Sequence, residues 1–128
     1  MNTKYLMISS AMFLGILGII FTFMPDETIK LLNSNPNIIV LIILQLTGAL
    51  YIGFAALNFM ARGNIVGGVY SRPLVIGNFV HFFVGGMALI KFISSSETII
   101  ILFIVTVIYI IFAIWLGLLM FRHPATKV

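Results

Sequence analysis

Long apolar runs alternate with short polar segments along this chain. The apolar runs cover about residues 5–23, 38–61, 73–90 and 98–121. Each is long enough to cross a hydrocarbon core of ~30 Å as an α-helix that rises about 1.5 Å per residue. The pattern predicts an all-α membrane protein, an antiparallel four-transmembrane-helix bundle that forms a single transmembrane domain over residues 1–128.

The polar segments contain signals for helix ends. After the first span, residues 27–32 predict a short interfacial helix capped by Asp26, with a plain loop as the alternative. Pro73 is typical of a helix start, and Ser94 with Glu97 has the spacing of a capping box before the fourth span. The first span is longer than the apolar part of a signal peptide and lacks a small-residue cleavage site, so we expect it to be retained.

The composition indicates an exterior that faces lipid. Hydrophobic residues make up 62% of the chain and charged residues 8%, against roughly 45–50% and about 25% in soluble domains. The seven Lys and Arg residues outnumber three Asp and Glu, but they stand singly at the ends of apolar runs, which argues against nucleic-acid binding. Because the sequence has no cysteine, disulfides, thiol catalysis and cysteine-ligated metals are excluded.

The charges also predict an orientation in the membrane. With four spans, both termini and the loop between the second and third spans share one side. That side holds five of the seven basic residues, namely Lys4, Arg62, Arg72, Arg122 and Lys127. The other side holds Lys30, Lys91 and the acids Asp26, Glu27 and Glu97. By the positive-inside rule, we expect an integral protein of the bacterial inner (plasma) membrane with cytoplasmic N- and C-termini.

Small residues recur at three- and four-residue steps on one face of each of the first three spans. They are Ala11, Gly15 and Gly18 in the first span, Gly48 and Ala55 in the second, and Gly85 and Ala88 in the third. Small residues let helix backbones approach closely in lipid. We therefore expect these faces to point inward and to pack.

Polar residues share these faces. Depth matching of antiparallel spans places them in one track from the midplane to the cytoplasm, formed by Gln45, Tyr51, Asn58, Arg62, Asn78, His81 and Tyr109. Polar groups at membrane depth are candidates for a ligand- or lipid-binding site, because their burial is costly. The alternative is a structural role, in which His81 bonds Tyr51 or Tyr109 and Arg62 reaches the lipid headgroups.

The same residues argue against a metal or a cofactor. The spans contain no carboxylate, and the second histidine, His123, lies in the C-terminal tail. Metal sites and acid–base pairs need several such groups together. We therefore predict no metal, no cofactor and no catalytic residue.

Two motifs beside the loop between the second and third spans carry a resemblance. They are residues 57–62, LNFMAR, and residues 73–81, PLVIGNFVH. With these motifs and the Met24-Pro25 loop, the chain resembles a widespread group of small bacterial four-helix membrane proteins of unknown function. The layout also resembles the four-span scaffold protein of eukaryotic ergosterol synthesis, although Gln45 stands where a basic residue would be sought. The resemblance implies a four-helix membrane fold and supplies no activity.

Three functions fit these observations. The first is a non-catalytic helical scaffold or accessory component that self-associates or binds membrane partners. The second is binding or movement of a lipid or small amphipathic molecule in a polar groove between the second and third spans. The third is a lipid- or quinone-directed enzyme that uses His81. The expected partners are membrane lipids, further copies of the chain or other membrane proteins, and no nucleic acid.

Overall fold

The structure, a computed structural model, describes residues 3–32, 34–63, 71–95 and 99–121. Its helices are α1 (Thr3–Phe23), α2 (Pro25–Leu31), α3 (Ile38–Ala61), α4 (Arg72–Ser95) and α5 (Ile100–Phe121). The predicted all-α class is confirmed, and α1, α3, α4 and α5 are each long and apolar enough to cross a membrane. The chain is therefore an integral membrane protein of the helical type.

The chain divides into two compact units, Met1–Gly63 and Asn64–Val128. The first unit contains α1, α2 and α3, and the second contains α4 and α5. In each unit the two long helices pack against each other as an antiparallel hairpin. The single transmembrane domain expected from the sequence stays a prediction.

The α1–α3 hairpin is closest where two glycines face each other. A Cβ atom added to Gly18 would lie 2.8 Å from the carbonyl oxygen of Gly48 and 2.9 Å from the amide nitrogen of Ile52. Further along, a Cβ added to Gly15 would lie 3.6 Å from the Cβ of Ala55. Later residues of α1 thus meet earlier residues of α3, as antiparallel packing requires. The absence of side chains at the two glycines allows the backbones to touch.

The short helix α2 begins two residues earlier than predicted, at Pro25. Met24 is its N-cap residue, and the Met24 side chain makes no capping hydrogen bond. Asp26 lies in the first turn instead, so the prediction that Asp26 caps this helix was wrong. The fixed φ of Pro25 suits the first helical position and starts the helix before Asp26. Ile29 is buried, which shows that the segment packs as a helix rather than forming a plain loop.

The ends of the later helices show one further correction. Ser94 lies in the last turn of α4, where its hydroxyl donates to the carbonyl oxygen of Ile90 at 2.9 Å. The capping box predicted from Ser94 was therefore wrong, because α4 continues to Ser95, and Glu97 lies outside the described residues. At the start of α3, the side-chain oxygen of Asn37 accepts from the amide of Ile39 at 2.9 Å and caps the helix.

The α4–α5 hairpin packs through aromatic rings set against glycines. A Cβ added to Gly85 would lie 2.7 Å from Cε1 of Tyr109, and one added to Gly117 would lie 3.1 Å from the ring of Phe79. Phe82 is fully buried, and its ring stacks on another ring from α5 with the centroids 4.8 Å apart. The glycines thus provide the space that these rings fill.

Candidate functional site

The polar side chains predicted as a site fall into two groups, one in each unit. Gln45, Tyr51, Asn58 and Arg62 belong to α3 or its C-terminal end in the first unit. Asn78 and His81 lie on α4 and Tyr109 on α5, in the second unit. The local geometry of each group follows from its own hairpin.

Asn58 connects α3 to α1 by a hydrogen bond. Its side chain is fully buried, and its Nδ2 donates to the hydroxyl of Ser10 at 3.1 Å. The Ser10 hydroxyl in turn donates to the carbonyl oxygen of Met7 at 3.1 Å. Sequence reasoning missed Ser10. The available signal was its spacing, since Ser10 lies four residues before Leu14 and eight before Gly18, on the face that α1 buries.

Gln45 and Tyr51 also reach toward α1. The side-chain nitrogen of Gln45 donates to the carbonyl oxygen of Thr22 at 3.4 Å, and the ring of Tyr51 lies 5.7 Å from the ring of Phe21. The buried hydroxyl of Thr22 has no hydrogen-bond partner among the described residues and is pressed against Gly48. These polar groups therefore lie inside the α1–α3 contact.

Arg62 closes the C-terminal end of α3. Its guanidinium lies 3.7 Å above the ring of Phe59, and its Nη1 donates to the carbonyl oxygen of Phe59 at 2.6 Å. The same carbonyl also accepts from the backbone N–H of Arg62 at 3.4 Å, so the guanidinium adds a second hydrogen bond at the end of the helix. The half-buried side chain is thus held on its own helix by a hydrogen bond and a cation–π contact.

His81 on α4 and Tyr109 on α5 are in contact across the second hairpin. The hydroxyl of Tyr109 lies 3.3 Å from Nε2 of His81, and the imidazole tautomer decides which of the two groups donates. The ring of Phe82 packs edge-on against both rings, with centroid distances of 5.1 Å in each case. Tyr109 is 2% exposed and lies over Gly85. Tyr109 is therefore enclosed in the hairpin, whereas His81 is half-buried.

Asn78 is also buried, and its Nδ2 donates to the carbonyl oxygen of Leu74 on the same helix at 2.9 Å. The buried positions of α4 are Val75, Asn78, Phe82 and Gly86. The row expected from the sequence was Asn78, His81, Gly85 and Ala88. Of these, Asn78 is buried, His81 and Gly85 are half-buried, and Ala88 is exposed. On the first hairpin, Ala11 and Gly18 are buried and Ala55 is half-buried.

In both hairpins, the polar side chains described above act as hydrogen-bond donors and acceptors within the contacts between helices. The four long helices contain no Asp or Glu. No cluster of three His, Cys, Asp or Glu side chains suited to a metal ion occurs among the described residues. General acid–base catalysis uses positioned titratable groups, and the pair in contact here is His81 and Tyr109. A role of these residues in binding a ligand or lipid stays a prediction.

Comparison of the chain with protein-family models, with curated proteins and with solved structures gives no match. The function is therefore argued from the geometry of the two hairpins. Their strongest features are the buried amide of Asn58, the His81–Tyr109 pair and the glycine contacts.

Proposed function

We propose that this protein is a non-catalytic component of the bacterial inner membrane, with both termini in the cytoplasm. It acts as a helical scaffold or accessory protein that self-associates or binds other membrane proteins. The observation that carries this proposal is the use of the polar side chains in the spans. Asn58 bonds Ser10 across the first hairpin, and His81 contacts Tyr109 across the second.

The chemistry of these contacts favours a structural role over catalysis. An interhelical hydrogen bond in a membrane protein contributes on average ~0.6 kcal/mol to stability, up to ~1.7 kcal/mol. The contacts of Asn58 and His81 are of this kind, and both lie within packed helix pairs. In a lipid- or quinone-directed enzyme His81 would act with Tyr109, whose hydroxyl it contacts, but Tyr109 is enclosed in the hairpin and the spans supply no carboxylate.

The outer face of α3 is the surface that best suits association. In an 18-residue apolar stretch of α3, 11% is buried, against 33% in the corresponding stretches of α1 and α5. Around Gly53, no described atom lies within 4 Å of an added Cβ, and the neighbouring Ala49 and Ala56 are exposed. Helices in lipid associate by close packing of such small residues rather than by the hydrophobic effect.

Cross-linking in intact membranes tests self-association. Because the chain has no cysteine, Gly53→Cys introduces a single thiol on the exposed face of α3. Treatment with a bifunctional maleimide is expected to give a covalent dimer, identified by mass spectrometry. The matched control is Ile19→Cys on the exposed face of α1 (56% exposed), which is expected to stay monomeric. A monomer at both positions would contradict self-association through α3.

A second experiment separates the scaffold from the lipid-binding alternative. His81→Ala and Asn78→Ala are expected to lower the melting temperature of the purified protein and to leave co-purifying lipid unchanged. If both variants keep the wild-type melting temperature but lose bound lipid, the polar residues bind a ligand and the proposal fails.

The orientation is tested separately with a reporter fused after Val128. We expect activity of a reporter that works in the cytoplasm, because the basic residues are concentrated on the side of the termini. Activity of a reporter that works only outside the cytoplasm would reverse the proposed topology.

A further inference from the structure

An apolar groove of about 470 Å³ runs between α4 and α5. Its floor includes the buried residues Gly86, Ala113 and Gly117, and its walls include Phe83 and Ile114, which are 47% and 59% exposed. The volume lies in the range of about 300–1,000 Å³ that is usual for small-molecule sites. All of its lining side chains are apolar, so water inside the groove would find no hydrogen-bond partner on the walls.

Packing fixes the shape of this groove. Phe79 lies against Gly117, where an added Cβ would come within 3.1 Å of the ring. The same Phe79 stacks on Phe83, with the centroids 5.4 Å apart and the planes 17° from parallel. Since α4 and α5 are long and apolar enough to span the membrane, the medium around the groove is hydrocarbon rather than water.

We propose that this groove holds one acyl chain of an anionic phospholipid whose phosphate is bound by Arg72. This inference is independent of the proposed scaffold role. From Phe79 to Ile90, which both line the groove, α4 advances ~16 Å at 1.5 Å per residue. One leaflet of a bilayer whose core is ~30 Å thick is ~15 Å deep. The groove therefore matches the length of one chain.

The charge at the start of α4 places the headgroup. Arg72 is exposed and lies seven residues before Phe79, which is two helical turns on the same face and ~10 Å along the axis. The headgroup and glycerol region of a bilayer occupies ~5–8 Å on each side of the core. Arg72 directly precedes the apolar run of this span and so lies at headgroup depth, and a chain whose phosphate is bound there passes ~10 Å along α4 before it reaches the groove at Phe79. A guanidinium binds phosphate through two parallel N–H bonds.

The opposite end of the groove also has a cation. Lys91 follows directly after Ile90, which lines the groove. The Lys91 ammonium is a point charge, whereas the guanidinium of Arg72 presents a planar fork of donors that matches a phosphate.

Tryptophan quenching by brominated lipids tests this proposal on the full chain. Trp115 is the single tryptophan, so Trp115→Phe removes the background and Phe83→Trp places a reporter in the groove wall. Quenching of this reporter is expected to show that brominated phosphatidylglycerol binds about fivefold more strongly than brominated phosphatidylcholine. This affinity ratio corresponds to ~1 kcal/mol for one basic residue near an anionic surface. Ile16→Trp, on the exposed face of α1, is the control and should show a ratio near one.

Two charge variants locate the headgroup. In the Phe83→Trp background, Arg72→Gln is expected to bring the ratio to about one, and Lys91→Gln is expected to leave it unchanged. Loss of the preference in Lys91→Gln but not in Arg72→Gln would overturn the assignment. A ratio near one with both cations present would overturn it as well.

A third variant tests whether the chain lies in the groove. Gly86→Leu should fill the floor, since a Cβ at Gly86 makes an ordinary contact of 3.7 Å with Tyr109. It is expected to abolish the preference while circular dichroism shows unchanged helix content. An unchanged fivefold preference would mean that the headgroup binds without the groove, and the proposal would fail. Ala113→Leu and the reporter Leu118→Trp replace the corresponding variants if either does not fold.

Discussion

Replacing Gly48 with alanine is expected to loosen the α1–α3 hairpin, whereas the same change at Gly53 is expected to leave it intact. At position 48 the added methyl carbon would lie 2.8 Å from the carbonyl oxygen of Gly18 and 2.8 Å from the amide nitrogen of Thr22. At position 53 no described atom lies within 4 Å. Both positions are on α3, so the two variants differ in the packing around one methyl group.

The size of the effect follows from the distances. Ordinary Cβ contacts begin at 3.4 Å, so α1 would have to move away from Gly48 by about 0.6 Å. The obstructing atoms include two backbone atoms, which cannot rotate aside. Overpacking of this kind costs typically ~1–3 kcal/mol. The helix propensity gained on changing glycine to alanine, ~0.5–1 kcal/mol, is common to both variants and cancels in their difference.

The opening of the hairpin can be measured by thiol labelling. Ala11→Cys introduces a buried thiol into a chain that has no other cysteine. When closing is faster than labelling, the labelling rate reports the equilibrium population of the open state. Gly48→Ala is expected to raise this rate about 5- to 150-fold over Gly53→Ala, as ~1–3 kcal/mol requires. Equal rates in the two variants would refute the close contact at Gly48.

Two further pairs of variants test the other contacts. Ser10→Ala removes the hydroxyl that accepts from the buried side-chain amide of Asn58 at 3.1 Å. It is expected to lower the free energy of hairpin opening by ~0.6–1.7 kcal/mol in the labelling assay. Ser9→Ala removes a hydroxyl that bonds within its own helix and is the control; an equal loss would contradict the interhelical role. Gly85→Ala places a methyl carbon 2.7 Å from the ring of Tyr109 and is expected to lower the detergent melting temperature, whereas Gly86→Ala, at 3.7 Å, is expected to keep it; equal melting temperatures would argue against the glycine contact.

The positions of the spans could be predicted because lipid imposes a simple rule. In the hydrocarbon core every backbone N–H and C=O must be bonded internally, so a long apolar run has to be a helix. The limits of α3 agree with those predicted, residues 38–61. The ends of the helices were harder to predict, because neighbouring residues compete to start or to end a helix. Pro25 began α2 ahead of Asp26, and α4 extended past Ser94.

The contacts within the candidate site were less predictable, because they depend on how each helix is rotated about its axis. On α4, Asn78 is buried as expected, but Phe82 and Gly86 are also buried and Ala88 is exposed. The faces of an almost entirely apolar helix differ little in hydropathy, so hydropathy alone does not fix how the helix is rotated about its axis. The choice of Tyr109 as a contact of His81 follows from the glycine at position 85, which leaves room for the ring.

The antiparallel contact of α1 with α3 underlies the proposed role of the polar residues in the first unit, and a disulfide tests it directly. A Cβ at Gly15 would lie 3.6 Å from the Cβ of Ala55, within the ~3.5–4.5 Å that a disulfide needs. Gly15→Cys combined with Ala55→Cys is therefore expected to form an intramolecular disulfide in oxidised native membranes, detected by the intact mass. The control pairs Gly15→Cys with Gly53→Cys and should stay reduced. A disulfide in the control pair and none in the first pair would contradict the packing of α1 on α3.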